Sequence, residues 1–348
     1  MDSAVILAEG VFGSTYGKTA HGLVRFTSRY KIEAVIDSQF AGKDAGEILT
    51  GERNGIPIVS TLHEAITYKP KFLIIGAATD GGYLPENYRK VVREAIENGI
   101  GIVSGLHEFI SDDPEFSKLA KEKGVTIIDV RKMFRDRKIP FTGKIEEVKS
   151  KKIAVLGTDS AIGKRTTAVT LWRELNKRGK KAEMIGTGQT AWMQGFKYCA
   201  VIDACINDFV AGNIEHEVVK AWFEEKPEYI ILEGQGSIVH PAYPGSFEII
   251  AAGRPDGIIL QHAPGRKTLD GFPNYPMPDV RRVIKILELL SQKKVIAITF
   301  NTENLTIDQA KEIAKDYEKK FRIPVILPLQ EPEKLAEVVE SYEFASNR

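Results

Sequence analysis

The sequence predicts an α/β protein of two domains, each a parallel sheet covered by helices on both faces. Short apolar runs alternate with stretches of helical periodicity along nearly the whole chain. The apolar runs are continuous rather than alternating, as in strands buried on both faces. A charged, broken stretch separates two such series. It runs through Arg131, Lys132, Arg135, Asp136, Arg137 and Lys138, then Pro140, Gly143 and the polar residues 144–152. Linkers between domains favour this composition, so the cut is set near residue 145, giving domains 1–145 and 146–348.

In the first series the strands are expected at 4–8, 34–36, 72–75, 101–103 and 125–128. The first leads into Gly10, Gly13 and Gly17, then a helix whose Ala20, Leu23 and Val24 face inward. Asp37 closes the next strand, where a dinucleotide fold places its ribose-binding acid. The glycine spacing is GxxGxxxG rather than GxGxxG, however, and Gly17-Lys18-Thr19 lacks the upstream glycine of a phosphate loop. The first domain is therefore predicted to be Rossmann-like without bound NAD. A second glycine-rich loop, Gly76 to Gly82, follows the strand at 72–75 and is expected beside the same cleft.

The second series begins with a buried strand at 151–156, and further strands are expected at 182–185, 229–232, 258–260, 295–300 and 325–327. Directly after the first comes Gly157-Thr158-Asp159-Ser160-Ala161-Ile162-Gly163-Lys164-Arg165-Thr166-Thr167. Ala168, Leu171, Trp172 and Leu175 then mark one helical face, Lys177 and Arg178 its last turn, and Gly179 its C-cap. Strand, glycine-rich loop and helix in this order make a P-loop. The glycines let the main chain curl so that its N–H groups face an anion, and the helix N-terminus adds positive charge. Lys164 reaches the phosphates, and the Thr166 and Thr167 hydroxyls are further donors. The second domain is predicted to be a P-loop NTPase-like three-layer α/β/α fold.

Two departures bear on chemistry. Five residues separate the glycines instead of four, and Arg165 stands where nucleotide hydrolases carry the hydroxyl that ligates Mg²⁺. Thr166 lies about 100° further round the helix and is no direct substitute. Arg165 suits phosphates that are held and not cleaved, unless it is simply a solvated helix residue.

Glu233 ends the strand at 229–232 and is followed by Gly234-Gln235-Gly236-Ser237. An acid there can hold a metal or act as a base. Gly186-Thr187-Gly188-Gln189-Thr190 forms another polar loop at the carboxyl edge of the sheet. Asp203 and Asp208 flank a helical stretch before Gly212, at a spacing that puts them on different faces. His240 and His262 fall in loops past strand or glycine segments, each with a structural reading beside a functional one. Asn301-Thr302-Glu303-Asn304 ends a further strand and is a candidate reader of a purine edge.

Bulk composition narrows the alternatives. With 48 Lys plus Arg against 47 Asp plus Glu, no global field attracts nucleic acid or a membrane, so an anion must be gripped by local geometry. Cys199 and Cys205 are the only cysteines, a poor disulfide framework that fits a reducing compartment. The apolar run at 1–10 is too short for a signal segment, and no stretch reaches membrane-spanning length. There is no HExxH, CxxC or ligand-spaced His pair, so no protein-held metal is expected. The expectation is a cytoplasmic homo-oligomer acting on a small molecule.

GTDSAIGK resembles the phosphate loop of dethiobiotin synthetase, and EGQGS resembles its acid–glycine segment. The whole layout is more similar still to a family long labelled a domain of unknown function, which joins a Rossmann-like domain to a dethiobiotin-synthetase-like P-loop domain. The residues that carry this resemblance are GTDSAIGKRTT at 157–167, GTGQT at 186–190, DACINDFVAG at 203–212, EGQGS at 233–237 and HAPGR at 262–266. Characterised members are D-glutamate or D-amino-acid N-acetyltransferases. The alternatives are an enzyme resembling dethiobiotin synthetase that uses ATP or GTP with Mg²⁺, and a non-catalytic nucleotide-binding protein; the resemblance itself implies acetyl-CoA as cofactor. Gly157, Thr158, Asp159, Ser160, Gly163, Lys164, Arg165, Thr166, Thr167 and Gln189 would bind it, and Glu233, Asp208 or His262 would take the proton from the amine.

Overall fold

The computed structural model describes residues 1–344 and divides them between two compact units. The first comprises Met1–Arg137 together with Gln189–Lys197 and Asp203–Cys205. Its strands are β1 (Asp2–Leu7), β2 (Tyr30–Ile36), β3 (Ile58–Val59), β4 (Phe72–Ile75), β5 (Gly101–Ser104) and β6 (Ile127–Asp129). Between and after them lie α1 (Lys18–Arg25), α2 (Ala45–Thr50), α3 (Leu62–Ile66), α4 (Glu86–Glu97), α5 (Pro114–Lys123) and α6 (Val130–Arg135). The sheet is parallel, in the order β3-β2-β1-β4-β5-β6, the Rossmann order, which reverses direction between β1 and β4. Val5, Leu7, Leu73 and Ile75 are buried in its core with Val92, Ile96 and Phe116 from the covering helices. Burial on this scale stabilises by about 1.5–3 kcal/mol per large side chain.

The loops that leave β1 and β4 meet at that reversal point and bind each other. Gly76 N donates to Leu7 O, Ala78 N to Tyr16 O, and Ala20 N to Gly76 O. An amide in the first turn of α1, which a dinucleotide phosphate would need, is thus already paired. Asp37 is fully buried, and its carboxylate accepts from Phe12 N and Gln39 N. It braces the glycine loop, so it does not present itself to a ribose.

The second unit comprises Lys138–Gly188, Tyr198–Ile202 and the residues from Ile206 onward. The elements here are β7 (Lys151–Gly157), α7 (Lys164–Lys177), β8 (Ala182–Gly186), β9 (Tyr198–Cys199), α9 (Asn207–Glu225), β10 (Tyr229–Glu233), α10 (Ser246–Gly253) and β11 (Gly257–His262). A hairpin of β12 (Thr268–Leu269) and β13 (Phe272–Pro276) follows, then α11 (Val280–Ser291), β14 (Val295–Phe300), α12 (Ile307–Phe321), β15 (Val325–Ile326) and α13 (Pro332–Ser341). The parallel sheet runs β15-β14-β11-β7-β10-β8-β9, with β7 at its centre. Ile153, Ala154, Val155 and Leu156 are wholly buried, which explains the unbroken apolar run. In the intervening stretch, α8 (Gln189–Gln194) clusters with the first unit: Gln194 Nε2 donates to Gly22 O and Arg29 Nε to Trp192 O.

Residue 145 is buried within the second unit, where Ile145 N donates to Glu215 Oε1. Two sequence expectations need amendment. The helix expected to end before Gly212 runs through it, because a side chain at 212 would collide with the Ile139 carbonyl and only glycine fits. Asp203 lies in a separate 3-10 turn, paired with Arg131 at 2.6 Å. The β12–β13 hairpin has no counterpart among the expected strands, although Asp270-Gly271, with Gly271 at φ +76°, is a turn signal at that point.

Candidate functional site

The centre of the second sheet sets the geometry. β7 is flanked by β11 and β10, so the segments leaving these three strands converge on one edge. The P-loop leaves β7, Glu233 closes β10 beside it, and His262 closes β11 on the other side.

Residues 158–163 curl between β7 and α7, with Ala161 at φ +48° and Gly163 at φ +94°. A left-handed alanine costs about 1–2 kcal/mol, so the curl must be held from outside. Asn301 Nδ2 donates to Ile162 O at 3.0 Å, and Arg266 Nη1 to Ser160 O at 3.0 Å. Arg266 Nη2 lies 3.5 Å from Ala161 O and 2.5 Å from Glu303 Oε2. With the carbonyls of Ser160, Ala161 and Ile162 taken by those side chains, the N–H groups of Ala161, Ile162 and Gly163 make no hydrogen bond to protein among the described residues. Outward carbonyls and unpaired inward amides are the ingredients of an anion nest. The first amides of α7 add to it.

The loop side chains divide into those that build the curl and those left to face a ligand. Asp159 is fully buried, and its carboxylate accepts from Arg266 Nη1 at 2.7 Å, Asp270 N at 2.9 Å and Ser160 N at 2.7 Å. Thr158 Oγ1 lies 2.9 Å from His262 Nδ1, and Thr167 Oγ1 donates to Gln261 Oε1 at 2.5 Å. Asp159, Thr158 and Thr167 are thus internal struts, and the Thr167 hydroxyl is directed at the sheet instead of at a phosphate. Ser160 Oγ reaches Asp270 at 3.3 Å. Thr166 is half-buried in the first turn of α7.

Lys164 is buried, and its Nζ donates to Asp159 O at 2.6 Å. Two glycines make room for its stem. A side chain at Gly157 or at Gly234 would come within 2.9 Å of Lys164 Cδ. Gly234, in the segment after Glu233, thereby serves the lysine, a link between distant motifs that spacing alone cannot reveal.

Arg165 Nε lies 3.7 Å from Glu233 Oε1, and the guanidinium forms no hydrogen bond among the described residues. Glu233 Oε2 accepts from Thr187 N at 2.8 Å and Gly188 N at 3.3 Å, which ties the GTGQT loop to this acid. Burial pushes the Glu233 carboxyl above its ordinary range, against the opposing pull of Arg165, the two amides and Lys164.

The remaining expected site residues divide by environment. His262 is enclosed: Tyr317 OH is 3.4 Å from its Nε2, and burial lowers its pKa to about 4. It is a neutral strut for Thr158. Asp208 is exposed in the first turn of α9. Gln189 opens α8, where its Cγ would meet a side chain placed at Gly105 of the first unit. Asn301 spends its amide on Ile162 O and Glu303 N, so it is not available to a purine edge. The sequence concealed the importance of Arg266 and the role of Asn301 as a support of the loop. HAPGR pointed to its histidine, but the arginine five residues into the motif makes the contacts that matter.

No helix among the described residues is long and apolar enough to cross a membrane.

Comparison with known proteins accords with both halves of this picture. Residues 139–336 match a family model described as a domain of unknown function, the DUF1611 C-terminal P-loop domain. Residues 38–133 match the corresponding N-terminal Rossmann-like domain. A protein of Tritonibacter scottomollicae named D-glutamate N-acetyltransferase is 31% identical over 277 residues, covering 77% of this chain and 80% of the relative. One of the same name from a Pseudoalteromonas species is 29% identical over 299 residues, covering 82% and 88%. The crystal structure of a DUF1611 family protein from Anabaena variabilis superposes with a TM-score of 0.90 at 29% identity, over 98% of this chain and 100% of that one. With a P-loop domain and a Rossmann-like domain both matched in sequence and the whole fold matched in three dimensions, this chain belongs to the DUF1611 family.

Proposed function

We propose that this protein transfers an acetyl group from acetyl-CoA to the amino group of a D-amino acid such as D-glutamate. The observation that carries the reading is the Arg165–Glu233 pair beside the P-loop. In a Mg–nucleotide enzyme a hydroxyl follows the P-loop lysine, and the neighbouring strand-end acid helps hold the metal. Here a guanidinium takes the hydroxyl's place and lies 3.7 Å from the acid. A fixed cation there neutralises phosphates that stay intact, as those of CoA do during acyl transfer. The names of the two relatives supply the acceptor class.

In this reading the nest amides, Lys164 and Arg165 hold the CoA phosphates. The amine nitrogen attacks the thioester carbonyl, the C–S bond breaks, the thiolate leaves as CoA, and the amine proton passes to a base. An extended CoA puts its thioester a whole pantetheine arm away from its pyrophosphate. Glu233, beside Arg165, therefore belongs to the phosphate end as a positioning residue. His262 is enclosed, which leaves Asp208 as the proton acceptor of the three.

Purified protein incubated with acetyl-CoA and D-glutamate should release free thiol in step with N-acetyl-D-glutamate. No release across a panel of D-amino acids overturns the proposal. A second reading, a Mg–ATP or Mg–GTP enzyme, is favoured by one observation, the position of Glu233 at the end of the strand next to β7. Mg-dependent binding of ATP or GTP in calorimetry, without CoA binding, would establish it instead.

A further inference from the structure

Outside the nest, the second unit carries a group of aromatic rings that the phosphate site does not use. Tyr243 and Tyr275 are 54% and 49% exposed. Tyr243 lies in Pro241-Ala242-Tyr243-Pro244, and Tyr275 in Pro273-Asn274-Tyr275-Pro276. Each tyrosine precedes one proline and follows another two residues back, so its backbone is confined before any ligand arrives.

The rings form one connected set. Tyr243 and His240 have centroids 4.9 Å apart, His240 and Phe272 5.3 Å, and Phe272 and Tyr275 5.9 Å. Main-chain contacts fix the set. His240 Nδ1 accepts from Ala242 N and Tyr243 N, both at 3.1 Å. Ser237 N donates to Tyr243 O, and any side chain at Gly236 would collide with that carbonyl.

The same set is joined to the P-loop. With Nδ1 accepting, His240 carries its proton on Nε2. That atom is buried without a hydrogen-bond partner and lies 3.5 Å from Asp159 Oδ1. From the hairpin side, Asp270 N donates to Asp159 and Asp270 Oδ2 meets Ser160 Oγ. The ring of Tyr243 thus stands one histidine's breadth from the loop's own carboxylate. Exposed, pre-set aromatic rings joined to the P-loop through His240 and Asp159 suit a ligand that carries phosphates and a flat ring together.

We propose that Tyr243 and Tyr275 form a ring-binding subsite that stacks the adenine of the ligand whose phosphates the P-loop holds. The proposal deepens the P-loop reading and does not depend on acetyl transfer, because CoA and free adenine nucleotides share the ring.

Calorimetry of the whole 348-residue chain with four probes tests it: CoA, ADP, 4′-phosphopantetheine and tripolyphosphate. The last two carry phosphate without adenine. Tyr243→Ala should weaken CoA and ADP about tenfold, since stacking on an aromatic side chain is worth about 1–3 kcal/mol per base. Tyr275→Ala should act in the same direction. Tyr243→Phe should keep wild-type affinity, and the two ring-free probes should bind every variant as they bind the wild type. Preference for CoA over ADP, or the reverse, tells which source of adenine the site takes. Unchanged CoA and ADP affinity in both alanine variants overturns the subsite. So does equal weakening of all four probes, which would mean a damaged loop, or a wild type that binds neither CoA nor ADP. If ADP or CoA binds and the ring dependence holds but no acetyl group is transferred, the acetyltransferase reading fails and the subsite stands.

Discussion

Glu233 makes opposite predictions according to its role. As the partner that orients Arg165, its replacement in Glu233→Gln should raise KM for acetyl-CoA several-fold and leave kcat near wild type. As a base it would lower kcat and remove the acid limb of the pH–rate profile, displaced upward from the ordinary carboxylate range because burial raises this carboxyl. Asp208→Asn should show the complementary pattern, kcat reduced by about two orders of magnitude with CoA affinity unchanged. Steady-state kinetics of the two variants from pH 5 to 9 distinguishes the assignments. The identity of Glu233 as a special residue could be read from the sequence, because an acid ending an apolar strand beside a P-loop is a local pattern. Its pairing with Arg165 was not, since that contact joins positions on different elements. The same limit explains Thr167 and Asn301. Their side-chain types suggested ligand donors, yet the folded chain spends both on holding β11 and the loop in register.

At the level of elements, the P-loop is kept open by its neighbours. Arg266 bridges Asp159, Ser160 O and Glu303 from outside the curl, and it is 7% exposed in its side chain. Arg266→Ala leaves the buried Asp159 carboxylate without its cation, a change that costs about 3–5 kcal/mol. The expected result is a lower melting temperature and at least tenfold weaker CoA binding. Arg266→Lys keeps the charge and loses the fork that reaches several acceptors at once, so it should recover stability more fully than affinity. Equal affinity of Arg266→Ala and wild type for CoA contradicts the clamp. The elements themselves were largely legible: the strands at 72–75 and 295–300 fall where the apolar runs placed them, because both faces of each are buried. The short strands β3 and β9 were not.

Across the whole molecule, acid should loosen both units. Burial lowers His262 in the second unit and His21 in the first to about 4, from an ordinary value of 6.5. Each is neutral in the fold and takes up a proton more readily when unfolded. Their contribution is fully present above pH 6.5 and is lost progressively as pH falls from 6.5 towards 4. For His262 the full loss is about 3 kcal/mol. Melting temperatures measured at pH 7 and pH 5 should differ accordingly, and His262→Gln should flatten the dependence of the second unit. A melting temperature that does not change over this range contradicts the assignment.

The short helix at Gln189–Gln194 has a further consequence for how such a protein can be taken apart. Because it and residues 203–205 belong with the N-terminal unit, the backbone passes between units five times. Severing the gene at a single point would strip the front half of the Trp192 and Gln194 contacts to Arg29 and Gly22. Chimaeras that trade one half for a homologue's must carry that helix across as well, or the graft will lack part of its own core.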